Sequence, residues 1–401
     1  MTRDGKRVRD PRDRFIPLSI PEIRGNAWLY VRECLDTNWV SSAGRFVDRF
    51  EAVVAARVGA RYGVATASGT AALHAALLVA GVRPGDEVLV PALTFIAPAN
   101  AVRYAGAWPV FMDVDPKYGQ IDAGKAAEFL VRGCRWRSGV LRNRATGRPV
   151  RAILPVHLLG HPCDLDALAG AARRYGLTVI EDATESLGAE YRGRPVGRPG
   201  DIACLSFNGN KIITCGGGGM IVTDRADWAE KARYLTTQAK DDPVEFIHRE
   251  IGFNYRLTNL QAALGLSQME FLDRFVRRKR AIAATYTRML AGVRGLRLPG
   301  EASWARSAWW LYAVLIDERV HAAGSRGLMR QLEVAGIQSR PLWHPIHALP
   351  PYRKCQAYRV EVADVLYRRA LTLPSSVGLT RRQQARVFRE ILAFARTAPA
   401  G

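Results

Sequence analysis

Between residues 47 and 237, short apolar runs alternate with longer stretches in which apolar residues recur at helical spacing. Apolar runs of this kind, bounded by polar residues or glycine, are typical of strands buried in a parallel sheet. The predicted strands are 87–91, 110–114, 152–156, 178–181, 202–207 and 220–223. The helical stretches between them include 69–82, 97–105 and 165–175. The alternation predicts an α/β fold whose mostly parallel central sheet is flanked by helices.

The pattern changes in the last third of the chain. One long helical pattern runs from Leu260 to about Leu290, and a mixture of helix and strand patterns follows it. A chain of 401 residues has room for two domains. We predict a basic N-terminal tail over 1–14, a large α/β domain over 15–265 and a smaller C-terminal α+β domain over 266–401.

The composition is that of a globular protein with a large excess of arginine. The net charge is +21, and only 8 of the 58 basic residues are lysine. Because arginine is spread along the whole chain, the charge favours anionic ligands such as nucleotide diphosphates over a nucleic-acid footprint, which would be clustered. The segment 132–151 holds seven arginines and no acidic residue, and a solvated hairpin explains it best. A basic nucleic-acid-binding protein is kept as an alternative on charge alone.

Neither a membrane span nor a metal site is expected. The most apolar long stretch, 64–82, is interrupted by Ser68, Thr70 and His74, and the N-terminus lacks the apolar segment of a secretory signal. The six cysteines show neither paired nor metal-ligand spacing, which predicts reduced thiols. We therefore expect a cytoplasmic protein without a metal, a membrane anchor or a nucleic-acid partner.

Lys211 follows the predicted strand 202–207 and precedes the four consecutive glycines 216–219. Lysine is scarce in this chain, and Ser206 and Asn208 lie close by in the sequence. A lysine that is withdrawn from water can form a Schiff base with an aldehyde. An exposed lysine in a glycine-rich loop explains the same sequence equally well.

Acidic residues follow another predicted strand. Asp182 comes directly after 178–181, where it either caps a turn or serves a cofactor. Beside a Schiff-base lysine, a carboxylate keeps the pyridine nitrogen of pyridoxal phosphate (PLP) protonated. Glu185, three residues later, is placed to face the same ligand.

Hydroxyl and aromatic residues complete the candidate site. Ser68, Gly69 and Thr70 open the first predicted helix, whose free N–H groups suit a phosphate, although an ordinary helix cap accounts for them equally well. Ser206 is a second candidate phosphate donor. Phe95 follows a strand and is either a ring that stacks on a flat ligand or a core residue. Since the carboxyl ends of parallel strands meet at one edge, these residues together predict a PLP site.

Five motifs occur in order along the chain. They are Ser68-Gly-Thr-Ala-Ala-Leu73, Thr94-Phe-Ile-Ala-Pro-Ala-Asn100, Glu181-Asp-Ala-Thr-Glu-Ser-Leu-Gly188, Ser206-Phe-Asn-Gly-Asn-Lys211 and Gly252-Phe-Asn-Tyr-Arg-Leu257. In this order they resemble the PLP-dependent nucleotide-sugar aminotransferases of the DegT/DnrJ group, which have the aspartate-aminotransferase fold (fold type I). The resemblance extends from about Phe15 into the C-terminal region.

The resemblance implies a role for each matching residue. Lys211 would be the Schiff-base lysine, Asp182 the partner of the pyridine nitrogen, and Phe95 the ring that stacks on PLP. Thr70 and Ser206 would hold the phosphate. The remaining residues that we expect at the cofactor are Ser68, Gly69, Glu185, Asn208 and Asn254.

Asn254 matches the residue that, in the family, reaches the phosphate from the other subunit. The resemblance therefore implies a homodimer with shared active sites. Glu185 departs from the commoner pattern, which has Gln or His at this position. An anion there would be unfavourable beside the phenolic oxygen of PLP, so Glu185 must be protonated or must share a proton.

Finer features resemble one subgroup, the aminotransferases that make 4-amino-4,6-dideoxy sugars in legionaminic-acid and bacillosamine-type pathways. The candidate substrate contacts are Trp39, Ser42, Arg340, His344 and His347. For the segment 340–347, a proline-stiffened loop with packed aromatic rings is an equally good explanation. His157 and His161 follow a strand, and structural histidines explain them as well as a site does.

The function implied by the resemblance is transfer of an amino group from L-glutamate to the C4 ketone of a nucleotide-linked 4-keto-6-deoxy sugar. Lys211 would move protons as base and acid. A PLP-dependent 3-dehydratase is the alternative within the family, but those enzymes carry His where this chain has Lys211. The nucleotide and the C2 substituent of the sugar are left open.

Overall fold

The computed structural model describes residues 15–242 and 244–396, so the predicted tail 1–14 lies outside the described residues. The helices are α1 Ala27–Asp36, α2 Arg45–Val58, α3 Gly69–Val79, α4 Ala97–Tyr104, α5 Ala123–Glu128, α6 Leu165–Tyr175, α7 Ala226–Thr236, α8 Asn259–Met269, α9 Leu272–Leu290, α10 Gly324–Val334, α11 Val362–Arg369 and α12 Arg381–Arg396. A π-helical turn, Phe129–Gly133, extends α5. Short 3-10 turns occupy Leu158–Gly160, Ile346–Ala348 and Pro350–Tyr352.

The strands within the described residues are short, and each has two to five residues. They are β1 Tyr62–Thr66, β2 Glu87–Pro91, β3 Trp108–Met112, β4 Cys134–Arg137, β5 Val140–Asn143, β6 Val150–Ile153, β7 Thr178–Asp182, β8 Glu190–Tyr191, β9 Arg194–Pro195, β10 Ile202–Ser206, β11 Gly219–Thr223, β12 Lys240–Asp242, β13 Ile247–His248, β14 Leu296–Arg297, β15 Ala305–Arg306, β16 Tyr312–Ile316, β17 Ala357–Tyr358 and β18 Ala370–Leu373.

Eight strands form the central sheet in the order β1-β11-β10-β7-β6-β2-β3-β17. From β10 to β17 every neighbouring pair is parallel, whereas β11 runs antiparallel to both β1 and β10. Every residue of β2 is buried, as expected for a strand covered by helices on both faces. The predicted α/β class with a mostly parallel sheet is confirmed.

Most predicted elements are present with shifted ends. Helix α6 has the predicted bounds, and β3 begins at Trp108, two residues before the predicted strand 110–114. Strand β1 was not among the predicted strands, because its residues merge into the apolar stretch 64–82. The arginine-rich segment 132–151 folds mainly as the β4–β5 hairpin and then continues into the sheet as β6.

The single helical pattern from Leu260 to Leu290 is two helices, α8 and α9. Phe271 leaves the helical conformation at the junction, with φ −112° and ψ 1°. The preceding Glu270 accepts hydrogen bonds from Tyr30 of α1 and from Asn26, the residue before α1. These bonds hold the turn against α1, which periodicity alone does not reveal.

Helix α9 belongs to two hydrophobic cores. Its first turns place Phe275 in the core on one face of the central sheet. Its later turns place Ile282 and Tyr286 in a second core, which includes residues of the sheet β14-β16-β18. Ile16 also joins this second core and forms a bridge with Ile337. The division at 265/266 stays a prediction.

The topology brings four chain segments to one edge of the sheet. Asp182 ends β7 and Ser206 ends the neighbouring parallel strand β10. Gly219 begins β11 between Ser206 and Thr66, the last residue of β1. A Cβ atom on Gly219 would lie 2.4 Å from the carbonyl oxygen of Ser68, so only glycine allows this close approach.

No helix within the described ranges combines the length and apolar character that crossing a membrane requires.

Gly219→Ala is expected to lower the free energy of unfolding by about 1–3 kcal/mol, because the added methyl overlaps the backbone at the start of α3. The matched control is Gly170→Ala on the exposed face of α6, where a Cβ atom meets no neighbour. That change is expected to raise the free energy of unfolding by ~0.5–1 kcal/mol through helix propensity. Urea unfolding measures both, and equal effects of the two substitutions would contradict the packing argument.

Candidate active site

A cavity of about 330 Å³ opens at the carboxyl edge of the central sheet. Nine of the residues predicted at the cofactor line it, namely Ser68, Gly69, Thr70, Phe95, Asp182, Glu185, Ser206, Asn208 and Lys211. They come from segments more than a hundred residues apart, which the parallel strands bring together.

Lys211 projects its amine into this cavity from the loop after β10. Its Nζ lies 3.7 Å from Oε1 of Glu185 and 4.2 Å from the centroid of the Trp310 ring. Its side chain is only 14% exposed. The amine therefore lies between a carboxyl group and an aromatic face, largely shielded from water, as a carbonyl-reactive lysine requires.

Asp182 is buried at the end of β7, with a Thr184 backbone N–H donating to its Oδ1 at 3.0 Å. Burial raises the pKa of this carboxyl, while the hydrogen bonds from Thr184 and the positive charge of Lys211 act in the opposite direction. A cationic ring nitrogen placed against Asp182 would offset the cost of burying its negative charge.

The backbone of β7 is anchored by buried hydrogen bonds of His157. His157 Nδ1 accepts a hydrogen bond from the Cys163 N–H at 3.1 Å, so its Nε2 carries the proton and donates to Glu181 at 2.9 Å. The backbone N–H of His157 also donates to the carbonyl of Asp182 at 3.0 Å. His157 is thus a structural residue that fixes the position of Asp182.

Glu185 is fully enclosed beside Lys211. Its Oε2 accepts the N–H of Leu159 at 2.8 Å, and Leu159 adopts a left-handed φ of 59° within its 3-10 turn. Burial raises the pKa of Glu185 to about 7, against the opposing effects of Lys211 and of the Leu159 N–H. Glu185 can therefore hold or release a proton near neutral pH.

The start of α3 forms a cradle beside the end of β10. Ser68 caps the helix by accepting the Ala71 N–H at 3.1 Å. A Cβ atom on Gly69 would lie 2.9 Å from Cβ of Ser206, so glycine is what lets the first turn of α3 approach β10. Thr70 is half-buried in this first turn, where helix N–H groups favour an anion.

Three aromatic rings form the outer wall of the cavity. Phe95, 51% exposed, lies edge-on to Trp343 with centroids 6.5 Å apart. Trp343 stacks on Trp310 at 6.3 Å and 12°. Trp310 was not among the predicted site residues, because its only sequence signal is the pair Trp309–Trp310 in the predicted C-terminal domain. Thr184 and Asn210 also line the cavity without having been predicted.

Two predicted substrate residues near the N-terminus do not line the cavity of this chain. Trp39 is 58% exposed, and its carbonyl accepts a hydrogen bond from Asn259. Ser42 is half-buried and accepts from Arg256 through its carbonyl at 3.1 Å. Asn254, expected to serve the other subunit, is exposed and forms a backbone bridge with Thr237.

The three predicted substrate residues of 340–347 also lie outside the cavity lining. Arg340 is exposed and bridges β18 at Thr372. His344 packs its ring against Tyr367 at 4.8 Å. His347 lies 4.0 Å from Asp364. Their roles, like those of Trp39 and Ser42, stay predictions.

In the part of the chain that the structure describes, no group of three or more His, Cys, Asp or Glu side chains is placed to hold a metal ion.

The residues around the cavity fit PLP. An amine for its aldehyde, a buried carboxylate for its ring nitrogen, and a helix start held against Ser206 for its phosphate all face one space. The fold and the site together define a PLP-dependent enzyme of fold type I.

Comparison with known proteins agrees with this class. The model of the DegT/DnrJ/EryC1/StrS aminotransferase family matches residues 21–392. GDP-perosamine synthase of Caulobacter vibrioides is 42% identical over 374 residues, covering 93% of this chain and 96% of the relative. GDP-perosamine synthase of Escherichia coli O157:H7 is 35% identical, covering 92% and 96%. The structure of DesI in the presence of its TDP-sugar product superimposes with a TM-score of 0.86 at 29% identity, covering 96% and 94%.

The chain belongs to the DegT/DnrJ/EryC1/StrS aminotransferase family. It is an enzyme, a PLP-dependent aminotransferase, as the sequence motifs implied.

Glu185→Gln is expected to change how the stability of the cofactor-free protein depends on pH. In the wild-type protein the folded state holds a Glu185 proton up to about pH 7, whereas the unfolded chain releases it near pH 4.3. The contribution of Glu185 to the free energy of unfolding is therefore greatest below about pH 4 and is lost as the pH rises through about 7. Gln does not titrate, yet it retains an acceptor for the Leu159 N–H.

The free energy of unfolding of the wild type, minus that of Glu185→Gln, should fall by about 1–3 kcal/mol between about pH 5 and 8. Urea unfolding at several pH values measures this difference. Parallel pH profiles for the two proteins would show that Glu185 titrates like an exposed carboxyl.

Proposed function

We propose that this aminotransferase moves an amino group from L-glutamate to the C4 ketone of a nucleotide-linked 4-keto-6-deoxy sugar, which makes a precursor for surface or secreted glycans. The observation that carries the proposal is the convergence of Lys211, Asp182 and the α3 cradle on one cavity. Named relatives that make GDP-perosamine, and a structural neighbour with a TDP-sugar product, support the substrate class.

The nucleotide that we propose is GDP. Both of the compared synthases carry GDP in their names, and the relative from Caulobacter vibrioides covers nearly the whole chain. The net charge of +21 favours any nucleotide diphosphate and does not select a base. TDP-linked and UDP-linked sugars are therefore the comparisons that test this choice.

Five of the residues around the cavity have a defined task in the binding of the cofactor. When bound, PLP supplies the electron sink that stabilises negative charge at the reacting carbon. Lys211 would bond the cofactor through Nζ, and Asp182 would hold the proton on its ring nitrogen. Thr70 and Ser206 would bind its phosphate, and Phe95 would cover one face of its ring.

Lys211 also moves the proton in this proposal. When it is not bonded to the cofactor, its amine would accept a proton from the donor carbon and later return one. Glu185 lies 3.7 Å from that amine and has a pKa near 7, so it can hold a proton that Lys211 gives up. Trp310 covers the amine and keeps bulk water away from it. A 3-dehydratase is disfavoured because Lys211 occupies the position where such enzymes have His.

We also propose that two chains form a homodimer with shared active sites. Asn254 is exposed rather than turned into its own cavity, as a residue that serves the partner would be. Large apolar side chains are exposed in the same part of the sequence and on α1, including Trp28 at 81% and Ile251 at 87%. Exposed apolar surface of this kind marks an association site.

Addition of L-glutamate to the PLP-loaded protein is expected to remove the visible absorbance band and to produce the near-ultraviolet band of pyridoxamine phosphate. A GDP-linked 4-keto-6-deoxy sugar should then restore the visible band faster than its TDP-linked or UDP-linked counterparts. Lys211→Ala is the control and should show neither change. A visible band that stays unchanged after glutamate is added would contradict glutamate as the amino donor. Equal rates with all three sugars would contradict selectivity for GDP.

Mixing two impaired variants tests the shared site. Asn254→Ala should weaken PLP binding by roughly tenfold or more through loss of one hydrogen bond to a charged phosphate. Subunits carrying Lys211→Ala, mixed with subunits carrying Asn254→Ala, should regain about a quarter of wild-type activity at limiting PLP. Half of the dimers would be mixed, and each of these would contain one intact site. Absence of any recovery after subunit exchange would contradict shared sites.

A further inference from the structure

Lys279 is a buried lysine that the reaction described above does not use. It lies on α9 and is only 2% exposed. Its Nζ donates to the carbonyl of Trp310 at 2.9 Å and to the carbonyl of Ser375 at 2.8 Å. Neither contact is to a carboxylate. Trp310 is the residue whose ring covers the amine of Lys211.

We propose that Lys279 is a positioning residue for Lys211 and that it acts through Trp310. The inference rests on the proposed role of Lys211 as the lysine that bonds the cofactor. It does not depend on which sugar the enzyme aminates.

The two contacts can be made by Lys279 without a charge on its amine. Burial lowers the pKa of Lys279 to about 7, with no charged side chain contributing to the shift. A neutral amine keeps two N–H donors, and the structure presents two carbonyl acceptors. A shorter or apolar side chain would leave both carbonyls without this partner in the interior, which is costly. The lysine therefore links α9 to two other segments at one point.

Trp310 connects Lys279 to the active site. Its indole Nε1 donates to the carbonyl of Asn210 at 2.7 Å, next to Lys211 in the chain. The face of the same ring lies 4.2 Å from Nζ of Lys211. Trp310 thus holds the Lys211 loop by a hydrogen bond and shields its amine with a ring. Lys279 fixes the backbone from which that ring extends.

The neighbouring residue on α9 provides a matched control. Arg278 also donates from α9 to carbonyls of the segment after β18, at Val377 and Leu379. It has no hydrogen bond to Trp310. Loss of Arg278 should therefore loosen the attachment of α9 without moving the ring over Lys211.

The test measures how fast acetic anhydride acetylates Lys211 in the cofactor-free, full-length protein, by peptide mass spectrometry. Exposed Lys117 serves as the internal reference. In Lys279→Met the ring is expected to shift, so Lys211 should react roughly tenfold faster relative to Lys117. Arg278→Met should leave the ratio unchanged. The visible absorbance maximum of the PLP-loaded protein should change in Lys279→Met and not in Arg278→Met.

A double-substitution cycle shows whether the effect passes through Trp310. Trp310→Leu alone should raise the reactivity of Lys211, and adding Lys279→Met to it should have no further effect. Additive effects would overturn the proposal, as would equal effects of Lys279→Met and Arg278→Met. If Lys279→Met does not fold, Lys279→Gln keeps an N–H donor group on a shorter side chain, so it should show a smaller change in the same direction. An unchanged ratio in Lys279→Gln would then overturn it.

Discussion

The active site depends on keeping an amine and two carboxyl groups close together after most water has been removed from them. Isolated charges in such a place are costly, and the structure offsets the cost by mutual contact and by backbone N–H groups. Thr184 and Leu159 supply those N–H groups to Asp182 and Glu185. The strained turn at Leu159 and the buried His157–Glu181 contact both follow from this need, because each fixes a donor or a strand end beside the site.

The parallel sheet could be predicted from the sequence because its strands are buried on both faces and appear as continuous apolar runs. The parts of the site that lie at the carboxyl ends of those strands, such as Asp182 and Ser206, could be predicted for the same reason. Trp310 could not, since it reaches the cavity from beyond α9. Its indole N–H donates to a backbone carbonyl and its own carbonyl accepts from Lys279, and bonds to the backbone leave no pattern in the sequence. Strand β1 and the break before α9 were likewise hidden, because tertiary contacts define them.

The excess of arginine is used in several ways across the fold. The guanidinium groups of Arg103 and Arg148 both lie over the Trp108 ring, 4.0 Å and 4.2 Å from its centroid. Other arginines pair with acidic residues, as Arg233 does with buried Glu51. A planar guanidinium can stack and form paired hydrogen bonds, which lysine cannot do. Part of the positive charge therefore contributes to packing as well as to the attraction of anions.

Late segments of the chain complete the fold by contacts with segments that are very distant in sequence. Ile16 pairs with Ile337, and β17 adds residues 357–358 to the edge of the central sheet next to β3. During synthesis the ribosome releases the early strands long before these late residues emerge. The edge of β3 and the apolar side chain of Ile16 therefore have no partners until residues 337 and 357–358 have been synthesised. A nascent chain of this protein would be most prone to aggregation, and most in need of a chaperone, during that interval.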